Sequence, residues 1–510
     1  MAKATMVRKA PPPKDQRKRK ISKGPLPVTL LSGFLGSGKT TLLQHVLTRD
    51  HGLRIAVVVN DIGAVNVDAS LIRKTHKVTK TNEKVISMQN GCICCTLRGD
   101  LVEELLNISK VQKFDYIMIE SSGISEPEQV AETFDARLAE QMSIQANMTG
   151  DLDDGLVEAL EQIQKAGGLD KFAKLDTAVT VIDAFTMLHD FETADLLSSR
   201  RNDVTEEDER TVSDLMVDQI EFANVIVLNK VDMVDLEKKA QLRDVLISLN
   251  PGAKIIEAVR GKIDVKEIVN TKRFNIDEAK LGSGWLQDLH AMTAREMADG
   301  RKVITPKPET EEYNVRNFVY RRHRPFHPER LWKLLRDTFI LQLQHEEEDD
   351  DDDGDEEDAN GQDDIQDNKA TPKEDVAEED EYEVPDNDII LANKKAHPIF
   401  KNLLRSKGGF WLATRPNQRG EWSQAGAMLT MVGDLPFFCT MDPKEYESED
   451  GDVNKLVQHD IDMGGEWGDR RQELVFIGVS LEREKLAELL DGCLLNDEEW
   501  ESWQRVMLIR

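Results

Sequence analysis

Residues Leu26–Leu47 read "LPVTLLSGFLGSGKTTLLQHVL". A short apolar run ends in a glycine-rich turn, and an apolar-periodic segment follows it. The turn itself, "GFLGSGKTT" from Gly33 to Thr41, fits G-x-x-x-x-G-K-[ST] at Gly33, Gly38, Lys39 and Thr40. Strand, loop and helix in that order is the context that gives this pattern meaning. Glycines let backbone N–H groups wrap phosphate oxygens, and the start of the helix adds positive potential. Gly33, Gly36, Ser37, Gly38, Lys39, Thr40 and Thr41 are therefore the candidate phosphate-binding residues. Lys39 is expected to reach the β- and γ-phosphates, and the Thr40 hydroxyl to ligate Mg²⁺.

Further β-rich runs lie downstream: "RIAVVVN" (Arg54–Asn60), "FDYIMIE" (Phe114–Glu120), "TAVTVID" (Thr177–Asp183) and "ANVIVLN" (Ala223–Asn229). Their near-continuous apolar character indicates strands buried on both faces, as in a parallel sheet covered by helices. With helical patterns between them, the expectation is an α/β nucleotide-binding domain over 26–259, with a mainly parallel sheet. A helical insertion is expected within 135–175.

The run at Ala223 ends in "NKVD", with Asn229, Lys230 and Asp232. An aspartate can accept two hydrogen bonds from the guanine N1–H and exocyclic amine, which adenine cannot supply. N-K-x-D at a strand end thus points to GTP rather than ATP. Between the two motifs lies "YIMIESSGISEP". Glu120 at the strand end suits the Mg²⁺ region, and Gly123 suits a backbone contact near the γ-phosphate. Lys39, Thr40 and Glu120 are the candidate catalytic residues. In "NDIGAVNVD", Asp61 and Asp68 could contact Mg²⁺, a water or a second metal, or could equally be turn and cap residues.

The chain has five cysteines in 510 residues, and three fall in "NGCICCTLRGDL" at Cys92, Cys94 and Cys95. Five cysteines so clustered do not make a disulfide framework, and a reducing cytosolic or nuclear compartment fits better. Three thiolates suit a soft or borderline ion such as Zn²⁺ or Cu(I), and a helix starting near Arg98 would favour the thiolate form. Three ligands leave a tetrahedral ion one position short, which is what transfer by ligand exchange requires. A redox switch and inert packing are the alternatives. No nucleophile–histidine arrangement is visible among the ten scattered histidines. His323 and His327 could be ligands or structural neighbours of Arg321 and Arg322.

The net charge of −30 is uneven. Residues 346–388 hold 24 acidic residues against two lysines, so the remainder carries only −8. A nucleic-acid partner is not expected for such a body. The tract cannot bury enough apolar area to offset ordering entropy, so it is expected to be a disordered acidic insertion, solvating or weakly metal-buffering. The basic arm 1–25 is expected to be disordered too, as a solvated tail or a nuclear localisation signal. No run approaches the roughly 18 apolar residues of a membrane span, so no membrane partner is expected. Residues 260–312 read as a connector. A smaller α+β domain is expected from 313–345 and 389–510, where "YNVRNFVYRR", "GGFWLATR", "AMLTMVG" and "ELVFIGVS" read as strands. The segments after His327 and over "EREKLAELLDG" read as helices, the latter stopped by Gly492.

Together the segments GFLGSGKTT, NDIGAVNVD, GCICCTLRGDL, ESSGISEP and NKVD, with "VYRRHRPFHPERL", "GFWLATR" and "QELVFIG" in the second domain, resemble the CobW-like family of metal-chaperone GTPases. The resemblance covers most of the chain. It implies a GTPase fold with a C-terminal α+β domain, slow GTP hydrolysis, and delivery of a transition metal, often zinc, to a client metalloprotein. Many members have Glu at the positions of Asp61 and Ala64, so this chain lacks the second of those carboxylates. A regulatory GTPase switch or a redox sensor without metal delivery is the alternative reading.

Overall fold

The structure is a computed structural model. It describes residues 24–60, 84–88, 96–134, 154–191, 193, 195, 197, 211–275, 315–342, 385–447, 451–463 and 465–509. The chain divides into two compact units.

The first unit is built on seven strands: β1 (Leu26–Ser32), β2 (Ile55–Asn60), β3 (Lys84–Met88), β4 (Tyr116–Glu120), β5 (Ala173–Asp183), β6 (Val225–Asn229) and β7 (Lys254–Glu257). Their spatial order is β3-β2-β4-β1-β5-β6-β7, and every pairing is parallel. The apolar runs are therefore fully buried, as their composition required. Alternate residues of β1, β2 and β4, including Val28, Leu30, Val58 and Ile117, pack with Leu101, Leu105 and Leu106 of α2 (Thr96–Val111). Val130 of α3 (Pro127–Glu132) and Ile163 of α4 (Asp154–Ala166) join the same cluster. The opposite set, including Leu31, Val57, Val59, Val179 and Val227, packs with Leu42, Leu43 and Val46 of α1 (Lys39–Thr48). A period of two thus sends neighbouring apolar residues into two cores.

The strand read as Thr177–Asp183 begins four residues earlier, at Ala173. The insertion expected within 135–175 supplies α4 before it; residues 135–153 lie outside the described residues.

The stretch from 260, read as a connector, packs on this unit as far as it is described. Val265, Ile268 and Val269 join the second core. The Asp176 carboxylate accepts from the Thr271 and Lys272 amides at 2.9 and 3.1 Å. The buried Tyr116 hydroxyl donates to the same carboxylate at 2.9 Å, and Thr29 donates to Ile268 O at 2.6 Å.

The second unit carries a six-stranded sheet of β8 (Val315–Arg322), β9 (Ile340–Gln342), β10 (Leu403–Phe410), β11 (Gln418–Ala425), β12 (Met428–Pro436) and β13 (Gln472–Val479). The order is β8-β13-β10-β11-β12-β9, antiparallel except for β12 with β9. Helices α5 (Val212–Glu221) and α6 (Leu236–Leu249) belong to this unit, with α7 (Pro328–Leu335), α8 (Asn387–Ala396), α9 (Gly451–Met463), α10 (Arg483–Asp491) and α11 (Asp497–Ile509). The strand expected over Gly408–Arg415 instead lies at Leu403–Phe410. It stops before Trp411, whose amide donates to the Gln472 side chain rather than to a neighbouring strand, and whose fully buried ring packs with Trp467, Trp500, Trp503 and Phe437 at centroid distances of 5.3–6.5 Å. Asp386 caps α8 by accepting from Asp388 N, so the last residues of the acidic stretch begin a helix. Residues 343–384 lie outside the described residues.

Candidate nucleotide site

All seven strands of the first unit run the same way, so their carboxyl ends share one edge, where open α/β sheets bind ligands. The phosphate loop leaves β1 at that edge. Gly33 adopts φ 133°, and a Cβ there would lie 2.3 Å from Val181 O. Gly38 adopts φ 105° as the N-cap of α1, and a Cβ there would lie 2.4 Å from Asn229 Nδ2. Both positions need glycine for conformation and for space. Gly36, also at positive φ, has open space around it.

Lys39 is buried and donates from Nζ to Gly33 O at 2.7 Å and to Phe34 O at 3.2 Å. Its ammonium is thereby held inside the curve of the loop. The Thr40 hydroxyl donates to Glu120 Oε1 at 2.7 Å. Strand pairing explains that contact, because Glu120 is the register partner of Leu31 and the next residue, Ser121, donates its amide to Leu31 O. Past Ser121 and Ser122 the chain returns to the loop. A Cβ on Gly123 would lie 2.5 Å from Leu35 Cδ2 and 3.0 Å from Leu35 N. Ser37 is buried, and Thr41 is exposed at the start of α1.

Asn229 ends β6 and ties two loops together. Its Nδ2 donates to Ser37 O, and its Oδ1 accepts from Gly261 N, both at 2.9 Å. Lys230 follows with φ 59°, and its Nζ meets Asp183 Oδ2 at 2.5 Å. Asp232 is exposed in the short turn Val231–Met233.

Residues 27–153 and 153–257 match the family described as "CobW/HypB/UreG, nucleotide-binding domain", and residues 388–494 match the cobalamin synthesis protein cobW C-terminal domain. Zinc-regulated GTPase metalloprotein activator 1 of Dictyostelium discoideum is 34% identical over 493 residues, spanning 94% of this chain and 83% of that protein. The chain belongs to the CobW-like GTPase family. It is a GTPase, and it hydrolyses GTP. Zinc chaperone CobW of Pseudomonas aeruginosa is 31% identical over 250 residues, 47% of this chain and 58% of that protein. Zinc chaperone YjiA of Escherichia coli is 29% identical over 259 residues, 50% of this chain and 64% of that protein.

Among the expected site residues of this CobW-like chain, the fold brings Gly33, Gly36, Ser37, Gly38, Lys39, Thr40, Glu120, Gly123, Asn229 and Lys230 to one sheet edge. Asp61, Asp68, Cys92, Cys94 and Cys95 lie outside the described residues. Sequence reading missed Asp183 and Gly261. Asp183 had a signal, as a carboxylate closing an apolar strand at the carboxyl edge. Gly261 had a weaker one, a glycine four residues after the short run Lys254–Glu257. It adopts φ 65°, and a Cβ there would lie 2.8 Å from the Leu42 backbone.

The two described cysteines are free thiols. Burial pushes Cys439 and Cys493 up to about 11. His323 and His327 lie in the second unit, and no group of three or more His, Cys, Asp or Glu is placed to hold a metal among the described residues. Nor is any helix among them long and apolar enough to cross a membrane.

Proposed function

We propose that this chain is a GTP-hydrolysing metallochaperone. It binds a transition metal, zinc first among them, through Cys92, Cys94 and Cys95, and passes it to a client metalloprotein according to nucleotide state. The observation that carries the proposal is the position of β3 in the sheet. The cysteines occupy the short link between Met88, the end of β3, and Thr96, the start of α2. One register row runs Ser87–Val59–Glu120–Leu31 across β3, β2, β4 and β1. Strand spacing puts the end of β3 roughly 14 Å from the start of the phosphate loop. Both therefore leave the same edge of one sheet. Relatives named as zinc chaperones and as a zinc-regulated activator support the choice of cargo.

In this reading Gly33–Thr41 cradle the phosphates, Lys39 pairs with the β- and γ-phosphates, and Gly123 offers its amide near the γ-phosphate. Asn229, Lys230 and Asp232 recognise guanine. The Thr40 hydroxyl and Glu120 carboxylate, 2.7 Å apart, are hard oxygen donors that fit Mg²⁺. When bound there, Mg²⁺ would neutralise charge on the transferring phosphoryl group. Three cysteines leave one position of a tetrahedral ion for an incoming ligand, and the N-terminus of α2 favours thiolate.

A ~100-fold change of metal affinity between nucleotide states would need about 2.7 kcal/mol of coupling, within the range of allosteric linkage. Competition titration with a zinc chelator, in a non-hydrolysable GTP analogue and in GDP, tests this. Different zinc affinities in the two states are expected. Equal affinities would remove the nucleotide coupling, and no stoichiometric zinc in either state would leave a GTPase switch without cargo.

A further inference from the structure

We propose that Asp183 is a positioning residue for guanine: it fixes the Lys230 side chain as the surface on which the base rests. The proposal rests on the reading of Asn229, Lys230 and Asp232 as the base-recognition segment. Lys230 is not a glycine, yet it adopts φ 59°. Such a conformation persists where the surroundings impose it. Here two anchors do so. Asn229, the preceding residue, is held on Ser37 O and Gly261 N. The Lys230 ammonium is held on Asp183 Oδ2 at 2.5 Å.

Asp183 stands at the nucleotide edge for a structural reason. It is the register partner of Asn229 in the β5–β6 pair. Two residues earlier, Val181 O leaves no room for a side chain at Gly33. The end of β5 therefore runs beside the glycine-rich loop and ends beside Asn229, within reach of the Lys230 ammonium. With its ammonium bound to Asp183, the lysine cannot swing freely, and its four-carbon stem is held between that carboxylate and its own backbone at the end of β6. A planar purine can rest on such a stem. The Asp183 side chain is 12% exposed and that of Lys230 33%. A pair this far buried also acts on stability when one partner is removed, so melting is read beside ligand affinity to separate the two.

The test compares full-length wild type with Asp183→Asn, Asp183→Ala, Asp183→Glu and Asp232→Asn. GDP affinity is measured by calorimetry, turnover at varied GTP by phosphate release, and folding by thermal melting. Asp183→Asn and Asp183→Ala are expected to weaken GDP and raise KM for GTP about tenfold. kcat at saturating GTP and the melting temperature should move far less. Asp183→Glu should recover much of the affinity, and guanine preference over xanthine should persist in all three. GDP affinity within about twofold of wild type in both Asn and Ala variants would overturn the proposal. So would a loss of affinity that only tracks a fall in melting temperature. Asp232→Asn reports separately on the underlying reading: if it fails to shift preference toward xanthosine triphosphate, base recognition lies elsewhere and the proposal falls with it.

Discussion

At Gly38 the phosphate loop tolerates neither a different conformation nor a side chain. Its φ of 105° is strained for any L residue, and the space is taken by Asn229 Nδ2, itself held on Ser37 O. Gly38→Ala therefore combines backbone strain of ~1–3 kcal/mol with displacement of the residue that joins the loop to β6. Calorimetric titration should show GTP binding weakened by more than about tenfold, with the fold retained by circular dichroism. Asp232→Asn should act differently, weakening GTP while improving xanthosine triphosphate, because only the hydrogen-bonding edge of the base is at stake. Competition between the two nucleotides reads this directly. The glycine-rich loop Gly33–Thr41 was legible because its spacing is local and its glycines answer to backbone geometry. Asp183 showed only as a strand-end carboxylate and Gly261 only as an isolated glycine, because their contacts with Lys230 and Asn229 cross neighbouring elements.

Two elements of the second unit meet through a buried ion pair. Arg405 of β10 lies 3.2 Å from Glu221 at the end of α5, with side chains 4% and 8% exposed. Removing one member strands the other charge, which typically costs about 3–5 kcal/mol. Arg405→Met should lower the melting temperature sharply, and adding Glu221→Leu should restore much of it in a double-mutant cycle. Between β13 and β8 a different balance holds. Burial tends to raise the Glu473 carboxyl, but Arg471 and Arg321 outweigh it and hold it below the usual carboxylate range. A depressed carboxylate contributes stability above its unfolded pKa, near 4.3, and loses it as pH falls through the lower folded value. Thermal melts below about pH 4.3 should therefore show an acid loss that Glu473→Gln flattens. At this scale, strands buried on both faces announced themselves as apolar runs. β11 did not, since "QRGEWSQA" mixes polar and apolar residues, and Gln424 is buried by bonding Ser406 and Gly426 O. β3 is as long as β4 and β6 but mixes Lys84 and Ser87 into its apolar residues, and β7 is a four-residue strand flanked by charge.

For the whole molecule, a linear list of domains missed how the chain is shared. It passes between the two units after Asp183, Glu221, Lys230, Gly252 and Leu281. The β6 strand is thus preceded and followed by helices that fold with the other unit, which no local pattern could reveal. The acidic tract is simpler. β9 ends at Gln342 and α8 starts at Asn387, while Asn393 Nδ2 donates to Asp337 O at 2.9 Å. Its two flanks are stitched together without it. Replacing 346–384 by a short Gly-Ser linker should leave the melting temperature and GTP turnover close to wild type, measured side by side. The aromatic cluster around Trp411 has an optical corollary. Six of the seven tryptophans of the chain, Trp332, Trp411, Trp422, Trp467, Trp500 and Trp503, lie in the described part of the second unit, and Trp285 lies outside the described residues. Intrinsic indole emission is consequently a one-sided reporter. It comes mainly from the unit with the antiparallel sheet, so a single tryptophan introduced near the loop Gly33–Thr41 would give the other half its own signal.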